Sequence, residues 1–206
     1  MSIKAIGFDW GGVLCGRPSA VFNEGFAAFA DVSVQEFENA YFTHADKLSS
    51  QKLSQEQLWA LVLNDLHRSD LIPNVHSAVA ELNESNILNQ DIFKLVDRLR
   101  KNGYKTGLLS NNTQEFADKA RADGISEHFD SFIVSAEVGY RKPDPEIFKM
   151  FTAELEVDAN ELVFIDDSAK SLSTADISGY KPILFKNYAD LVVELNNLEV
   201  KFEVRP

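Results

Sequence analysis

The chain of 206 residues carries 20 lysine and arginine residues against 32 aspartate and glutamate residues, so its formal net charge at pH 7 is −12. Hydrophobic residues make up 45% of the sequence and charged residues 25%, which is ordinary for a globular protein and excludes a disordered or collagen-like chain. An acidic surface repels phosphate backbones and anionic lipid headgroups, so neither nucleic acid nor a membrane is an expected partner.

The cysteine content and the N-terminal residues bear on the cellular compartment in which the protein is expected. Cys15 is the only cysteine, so no intramolecular disulfide can form. The first ten residues, MSIKAIGFDW, contain neither a long apolar stretch nor a small-residue cleavage site, and no apolar run reaches the roughly 20 residues that span a bilayer. We therefore expect a cytoplasmic protein.

The first predicted element is a strand over residues 3–8, and residues 17–86 after it show helical spacing instead. Three helices are predicted there, carrying Phe22, Phe26 and Phe29, then Phe37, Tyr41 and Leu48, and then Leu58, Leu61 and Val62. Ser54 and Gln57 form a capping box that opens the third helix. The aromatic stripe favours a packed bundle, and the position of the insertion also suits a lid over the strand ends.

Four further strands are predicted at 105–110, 131–138, 162–166 and 181–185. They are rich in Ile, Leu, Val and Phe without clean alternation, as strands buried on both faces should be. Between them, one helical face is predicted to carry Ile92, Leu95, Val96 and Leu99, with Gly103 after its end. A second helix begins at Asp144 and Pro145, and its apolar stripe is Ile147, Phe148, Phe151 and Leu155.

The alternation of strands and helices predicts the fold class. It is α/β, with a doubly wound parallel sheet and a small helical subdomain inserted after the first strand. In such folds, ligands bind beyond the carboxyl ends of the strands.

Reactive side chains lie at or after the ends of four predicted strands. Asp9 follows the first, Ser110 ends the second, Lys142 lies in the loop after the third, and Asp166 and Asp167 lie at the end of the fourth. Taken singly, most of them would suit a turn or a helix cap. Because the carboxyl ends of parallel strands meet at one edge of a sheet, we expect all of them in one crevice.

Asp9, Asp166 and Asp167 would then place three carboxylates close together, where they repel one another unless a cation lies among them. Mg²⁺ suits such a site because it prefers carboxylate, water and phosphate oxygens, and the absence of paired His or Cys argues against zinc. Lys142 and Ser110 would hold the remaining phosphate oxygens. Asp9 is left as the nucleophile.

The four segments resemble the four motifs of the haloacid dehalogenase-like (HAD) hydrolases. They read FDWGGVL at 8–14, LLSNN at 108–112, GYRKPDPEIF at 139–148 and FIDDS at 164–168, in the family's order over residues 3 to about 186. The resemblance implies a Rossmann-like core domain formed by residues 1–16 and 87–206. It also implies that residues 17–86 are the family's helical cap of the C1 type.

The resemblance further implies the roles of the site residues. Asp9 would form an aspartyl-phosphate, and the transferring phosphoryl group and substrate would be bound by Ser110, Asn111 and Lys142. The metal would be Mg²⁺, held by Asp9, by the backbone carbonyl of Gly11, by Asp167 directly, and by Asp166 through water or as an orienting group. The implied function is a phosphomonoesterase acting on a small phosphorylated metabolite such as a sugar phosphate.

Gly11 departs from the pattern of most phosphatases of this family, which carry there a second Asp that protonates the leaving group and activates water. A glycine still offers its carbonyl, so metal binding should survive. Loss of a positioned acid/base costs on the order of 10² to 10⁴ in rate. The alternative is therefore a catalytically impaired phosphate-binding or regulatory protein.

A third possibility is haloacid dehalogenation. This reaction needs no metal, so the pair of carboxylates at Asp166 and Asp167 disfavours it.

Overall fold

The computed structural model describes residues 2–16, 19–49, 53–83 and 88–202. The chain divides into two compact units, one formed by Met1–Pro18 and Leu88–Pro206 and the other by Ser19–Ile87. In the described part of the chain, no helix combines the length and the apolar character needed to cross a membrane.

A five-stranded parallel sheet forms the centre of the first unit. Its strands are β1 (Ala5–Phe8), β2 (Lys105–Ser110), β3 (Ser131–Val134), β4 (Leu162–Asp166) and β5 (Lys181–Leu184), in the spatial order β3-β2-β1-β4-β5. All four neighbouring pairs are parallel. β1 and β4 are buried along their whole length, which explains why their sequences are apolar without alternation. The predicted α/β fold class is confirmed.

The unit Ser19–Ile87 is helical. Its helices are α1 (Ser19–Ala30), α2 (Val34–Ser49), α3 (Gln55–Asp65) and α4 (Val75–Asn83), with a 3₁₀ turn at Ser69–Asn74. The three predicted helices and the capping box of Ser54 and Gln57 are present, while α4 had not been predicted. The ring of Phe26 lies 4.5 Å from that of Phe37 and 5.0 Å from that of Trp59. The side chain of Leu48 lies outside the described residues.

The remaining helices flank the sheet: α5 (Gln90–Lys101), α6 (Gln114–Ala122), α7 (Ser135–Val138), α8 (Pro145–Leu155), α9 (Ala175–Ser178) and α10 (Tyr188–Asn197). The two helices predicted from their apolar stripes are α5 and α8, and both stripes are buried. Asp144 caps α8 by accepting a hydrogen bond from the backbone N–H of Glu146. Gly103 adopts a positive φ after α5, as a C-terminal glycine does.

The third predicted strand was too long, because residues 135–138 form helix α7 instead. The neighbouring strand β2 ends at Ser110, which pairs with Val134, so the residues beyond Val134 have no partner for a continued ladder. The hydroxyl of Ser135 also hydrogen-bonds the backbone of Asn112 in the loop after β2. Tertiary pairing therefore overrides the apolar character of this segment.

Helix α8 lies close against the sheet because two glycines leave room for Phe151. Gly7 and Gly107 are register partners in β1 and β2. A Cβ atom at either position would lie 2.5 Å from an atom of the Phe151 ring.

We expect Gly107→Ala to lower the free energy of unfolding by about 1–3 kcal/mol, because the added methyl group overpacks the core against Phe151. Urea unfolding measures the loss. Gly11→Ala is the matched control, since a Cβ there meets no atom within 4 Å. In a Phe151→Ala background the cost of Gly107→Ala should fall sharply, and an undiminished cost would contradict this explanation.

Candidate active site

Asp9 lies directly after β1, where its backbone N–H donates to the carbonyl of Ile165 at 2.9 Å and so continues the pairing of β1 with β4. The chain then turns tightly. The N–H groups of Leu14 and Cys15 both donate to the carbonyl of Trp10, at 3.0 and 2.9 Å. This turn keeps the Asp9 side chain at the strand end with 14% of its surface exposed.

Lys142 joins two of the predicted carboxylates. Its Nζ donates to Oδ1 of Asp9 at 2.7 Å and to Oδ2 of Asp166 at 2.5 Å. The side chains of Lys142 and Asp166 are each only 1% exposed. The other carboxylate oxygen of Asp166 accepts a hydrogen bond from the N–H of Ser168 at 2.8 Å. The loop after β3 and the ends of β1 and β4 therefore converge, as the parallel sheet predicts.

Asp9, Asp166 and Asp167 form one carboxylate cluster. One oxygen atom from each can be chosen so that all three lie within 4.8 Å of one another. These are hard oxygen donors around a small space. The donor set therefore fits Mg²⁺, which binds carboxylate oxygens and keeps further positions for water or phosphate.

The electrostatics of the cluster favour the binding of a cation. Burial, together with the charges of Asp166 and Asp167, raises the pKa of Asp9 from 3.8 to about 7, while Lys142 acts in the opposite direction. For Lys142, burial lowers the pKa, but the two carboxylates outweigh burial and hold the pKa above its usual value. Lys142 therefore stays charged, and an added cation would favour the charged form of Asp9.

Asn111 holds the backbone at Lys142. Its Oδ1 accepts from the N–H of Lys142 and its Nδ2 donates to the carbonyl of Lys142, both at 2.8 Å. The sequence had suggested a role in substrate binding, which stays a prediction. Ser110 is buried at the end of β2, and its phosphate-binding role also stays a prediction.

Gly11 lies in the turn after Asp9, and a Cβ at this position would meet no atom within 4 Å. No positive φ is imposed on it, in contrast to Gly12 with a φ of 70°. A side chain at position 11 is therefore sterically possible. The absence of a carboxylate here is a property of the sequence and is not required by the local backbone.

Sequence reasoning missed the aromatic ring next to the lysine. Lys142 Nζ lies over the ring of Phe164, 5.0 Å from its centroid. A signal was present, because residues two apart on a strand point to the same face of a sheet, and Phe164 lies two positions before Asp166 on β4. What the sequence did not indicate is that Lys142 reaches this face.

The chain belongs to the haloacid dehalogenase-like hydrolases, since that family's model matches residues 3–175. The family membership that the resemblance implied is thereby confirmed.

Curated relatives carry several activities in their names. A bifunctional epoxide hydrolase 2 of Rattus norvegicus is 32% identical over 116 residues, which cover 54% of this chain and 21% of that protein. A glyceraldehyde 3-phosphate phosphatase of Pyrococcus abyssi is 33% identical over 95 residues, which cover 45% of this chain and 40% of that protein. An (S)-2-haloacid dehalogenase 4A of Burkholderia cepacia is 28% identical over 94 residues, which cover 45% of this chain and 41% of that protein. The chain spans less than half the length of these relatives.

Solved structures share the fold. A HAD-like family hydrolase of Porphyromonas gingivalis superimposes with a TM-score of 0.62 at 24% identity, covering 98% of this chain and 100% of that one. A HAD family enzyme of Bacteroides thetaiotaomicron was solved with magnesium and inorganic phosphate. It has a TM-score of 0.56 at 21% identity, and the match covers 92% of this chain and 99% of that one.

We expect Mg²⁺ to raise the melting temperature of the chelator-treated protein, because a ligand that binds only the folded state stabilises it, by about 2.7 kcal/mol at 100 times its Kd. Asp167→Asn should abolish most of this shift in a thermal melt. Asp167 is chosen because Asp166 also holds Lys142. Asp176→Asn, an exposed carboxylate in α9, is the control. Equal shifts in both variants would contradict a metal site at Asp167.

We expect the stability of the metal-free protein to fall as pH rises from about 4 to about 7, relative to Asp9→Asn. The folded state keeps the Asp9 proton up to about pH 7, whereas the unfolded state releases it near 3.8. The folded state therefore binds more protons in this window, and the slope reaches at most about 1.4 kcal/mol per pH unit. Urea unfolding in chelator measures it. A difference between the two proteins that does not change with pH would contradict the raised pKa.

Proposed function

We propose that the chain is a Mg²⁺-dependent phosphomonoesterase acting on a small phosphorylated metabolite, such as a sugar phosphate. The observation that carries this proposal is the cluster of Asp9, Asp166 and Asp167 with the Lys142 ammonium group bound to two of its members. A site that concentrates negative charge can accept a phosphate dianion only if cations are fixed in it. Lys142 supplies one and a divalent ion supplies the rest.

Three carboxylates and one carbonyl would hold the metal: Asp9, Asp166, Asp167 and the backbone of Gly11. When bound, Mg²⁺ supplies positive charge that polarises a phosphoryl oxygen and offsets the charge of the transition state. The donor set supports Mg²⁺ over zinc because the cluster contains only carboxylate oxygens.

Asp9 is the nucleophile in this proposal. Its Oδ1 is bound to Lys142, which leaves Oδ2 to attack the phosphorus atom. The bond between phosphorus and the leaving oxygen breaks, the alcohol product takes up a proton, and Asp9 carries the phosphoryl group as an acyl phosphate. Attack by water then releases phosphate and restores the carboxylate.

Lys142 and Ser110 act on the phosphoryl group. The ammonium group of Lys142 is placed beside the attacking carboxylate, where it can offset negative charge on the phosphoryl oxygens as they approach. Ser110 ends the adjacent strand β2, and its hydroxyl is proposed to donate to another of these oxygens. Asn111 supports the arrangement through its two hydrogen bonds to the Lys142 backbone.

Two relatives support phosphoryl chemistry. The similar protein of Pyrococcus abyssi is named a glyceraldehyde 3-phosphate phosphatase, and the structurally similar enzyme of Bacteroides thetaiotaomicron holds magnesium and inorganic phosphate. The relative of Burkholderia cepacia is named a dehalogenase. Dehalogenation is the weaker proposal for this chain, because a reaction without metal gives no reason to gather three carboxylates around one point.

Gly11 favours a second candidate function, a phosphate-binding protein with little turnover. Its position carries no acid/base side chain, so neither protonation of the leaving group nor activation of water has an assigned residue. Metal and phosphate binding need neither step. The two functions differ in whether product is released, and position 11 has the space for a variant that restores a carboxylate.

We expect Mg²⁺-dependent phosphate release from at least one member of a panel of phosphorylated metabolites, and none from Asp9→Asn in a folded state. Gly11→Asp should raise kcat by on the order of 10² or more, because it supplies the absent acid/base. Colorimetric phosphate assays with and without chelator measure both. Full activity of Asp9→Asn would overturn the mechanism.

Two further outcomes separate the alternatives. A native chain that binds phosphate but releases none, and that turns over once Gly11→Asp is introduced, is a binding protein on a hydrolase scaffold. Chloride release from a haloacid that persists in excess chelator identifies a dehalogenase.

A further inference from the structure

The ammonium group of Lys142 has contacts of two kinds. Asp9 and Asp166 accept hydrogen bonds from Nζ, and the ring of Phe164 lies below it with its centroid 5.0 Å away. The lysine side chain is 1% exposed. The aromatic ring therefore occupies space beside the ammonium group from which water is largely excluded.

An aromatic ring below the Lys142 ammonium group attracts it toward the ring face. The face of an aromatic ring carries a negative quadrupole, and its attraction for a cation grows when water is excluded. An aliphatic side chain of similar size would fill the same volume without attracting the charge. The ring thus favours the position of Nζ at which it contacts both carboxylates. The two hydrogen bonds alone would let the ammonium group move with either carboxylate.

The Phe164 ring is itself fixed by its surroundings. It is completely buried and has edge contacts with Phe148 at 5.3 Å and 80°, with Phe151 at 6.0 Å and 82°, and with Tyr180 at 6.0 Å and 80°. It also lies over Gly7 of β1, where a Cβ would come within 2.7 Å of it. The ring can neither turn nor retreat without disturbing three other rings.

We propose that Phe164 is a positioning residue: its ring face sets the place of the Lys142 ammonium group between Asp9 and Asp166, and so prepares the lysine to meet a phosphoryl oxygen. The use of Lys142 on a phosphoryl group rests on the proposed function. The attraction between ring and ammonium group does not, and it can be measured in the protein without substrate.

The competing explanation is that Phe164 only fills the core. Phe151 provides the matched control because it belongs to the same aromatic cluster, is equally buried and is the same residue type. Phe151 contacts the ring of Phe164 and lies against the glycines of β1 and β2. A Phe→Leu change at either position removes a buried ring, but only the change at Phe164 removes the ring below Lys142.

The test is a double-mutant cycle on the whole chain, with Phe164→Leu and Lys142→Met made singly and together and unfolding followed in urea. We expect Phe164→Leu to lower the folding equilibrium constant by a factor about 5 to 30 greater in the native background than in Lys142→Met. Phe151→Leu should cost the same in both backgrounds. Equal costs of Phe164→Leu in both backgrounds would overturn the proposal.

If Lys142→Met does not fold, a second measurement decides whether the Phe164 ring lies against the Lys142 side chain and holds it in place. In protein labelled with ¹³C at the lysine Cε, the ring current of Phe164 should shift the Lys142 signal upfield. Phe164→Leu should remove this shift and Phe151→Leu should keep it. A Lys142 signal that is unchanged by Phe164→Leu would overturn the proposal.

Binding of inorganic phosphate in the presence of Mg²⁺ links the position of the lysine to its use. Isothermal titration should give a Kd raised on the order of tenfold by Phe164→Leu and by less than about twofold by Phe151→Leu. An equal effect of the two variants would contradict a role in positioning. If the native chain binds no phosphate, the proposed function fails, while the cycle and the lysine signal still decide the role of Phe164.

Discussion

A buried ammonium group among carboxylates is the interaction on which the site depends. Lys142 is 1% exposed and binds both Asp9 and Asp166, and Asp167 brings a third carboxylate oxygen within 4.8 Å of the other two. Burial and the neighbouring carboxylates hold the pKa of Asp9 at about 7, which means that its charged form carries a free-energy cost. The electrostatics of this site therefore favour the entry of a cation.

The fold provides the convergence that this interaction needs. Asp9 and Asp166 lie at the ends of neighbouring parallel strands, so the register of β1 with β4 brings their side chains together. Lys142 arrives from the loop before α8, and that helix lies close to the sheet because Gly7 and Gly107 leave room for a ring. Backbone pairing thus brings together positions that lie far apart in sequence.

Most of this architecture could be predicted from the sequence, because it depends on local patterns. The bounds of β2 and β4 agree with the apolar runs, and Asp144 caps α8 as its type indicates. Other features depend on tertiary neighbours. Residues 135–138 become helical because β2 offers them no partner, and Asn111 binds the backbone of a residue 31 positions away. No local pattern contains such information.

The proposed covalent mechanism is tested most directly by an acid quench during turnover, followed by peptide mapping by mass spectrometry to locate the phosphoryl group. We expect one phosphoryl group on the peptide that contains Asp9. We also expect the group to accumulate during turnover, because Gly11 offers no side chain to activate the water that removes it. Release of phosphate with no modification of that peptide, or with modification at Ser110 instead, would contradict the account.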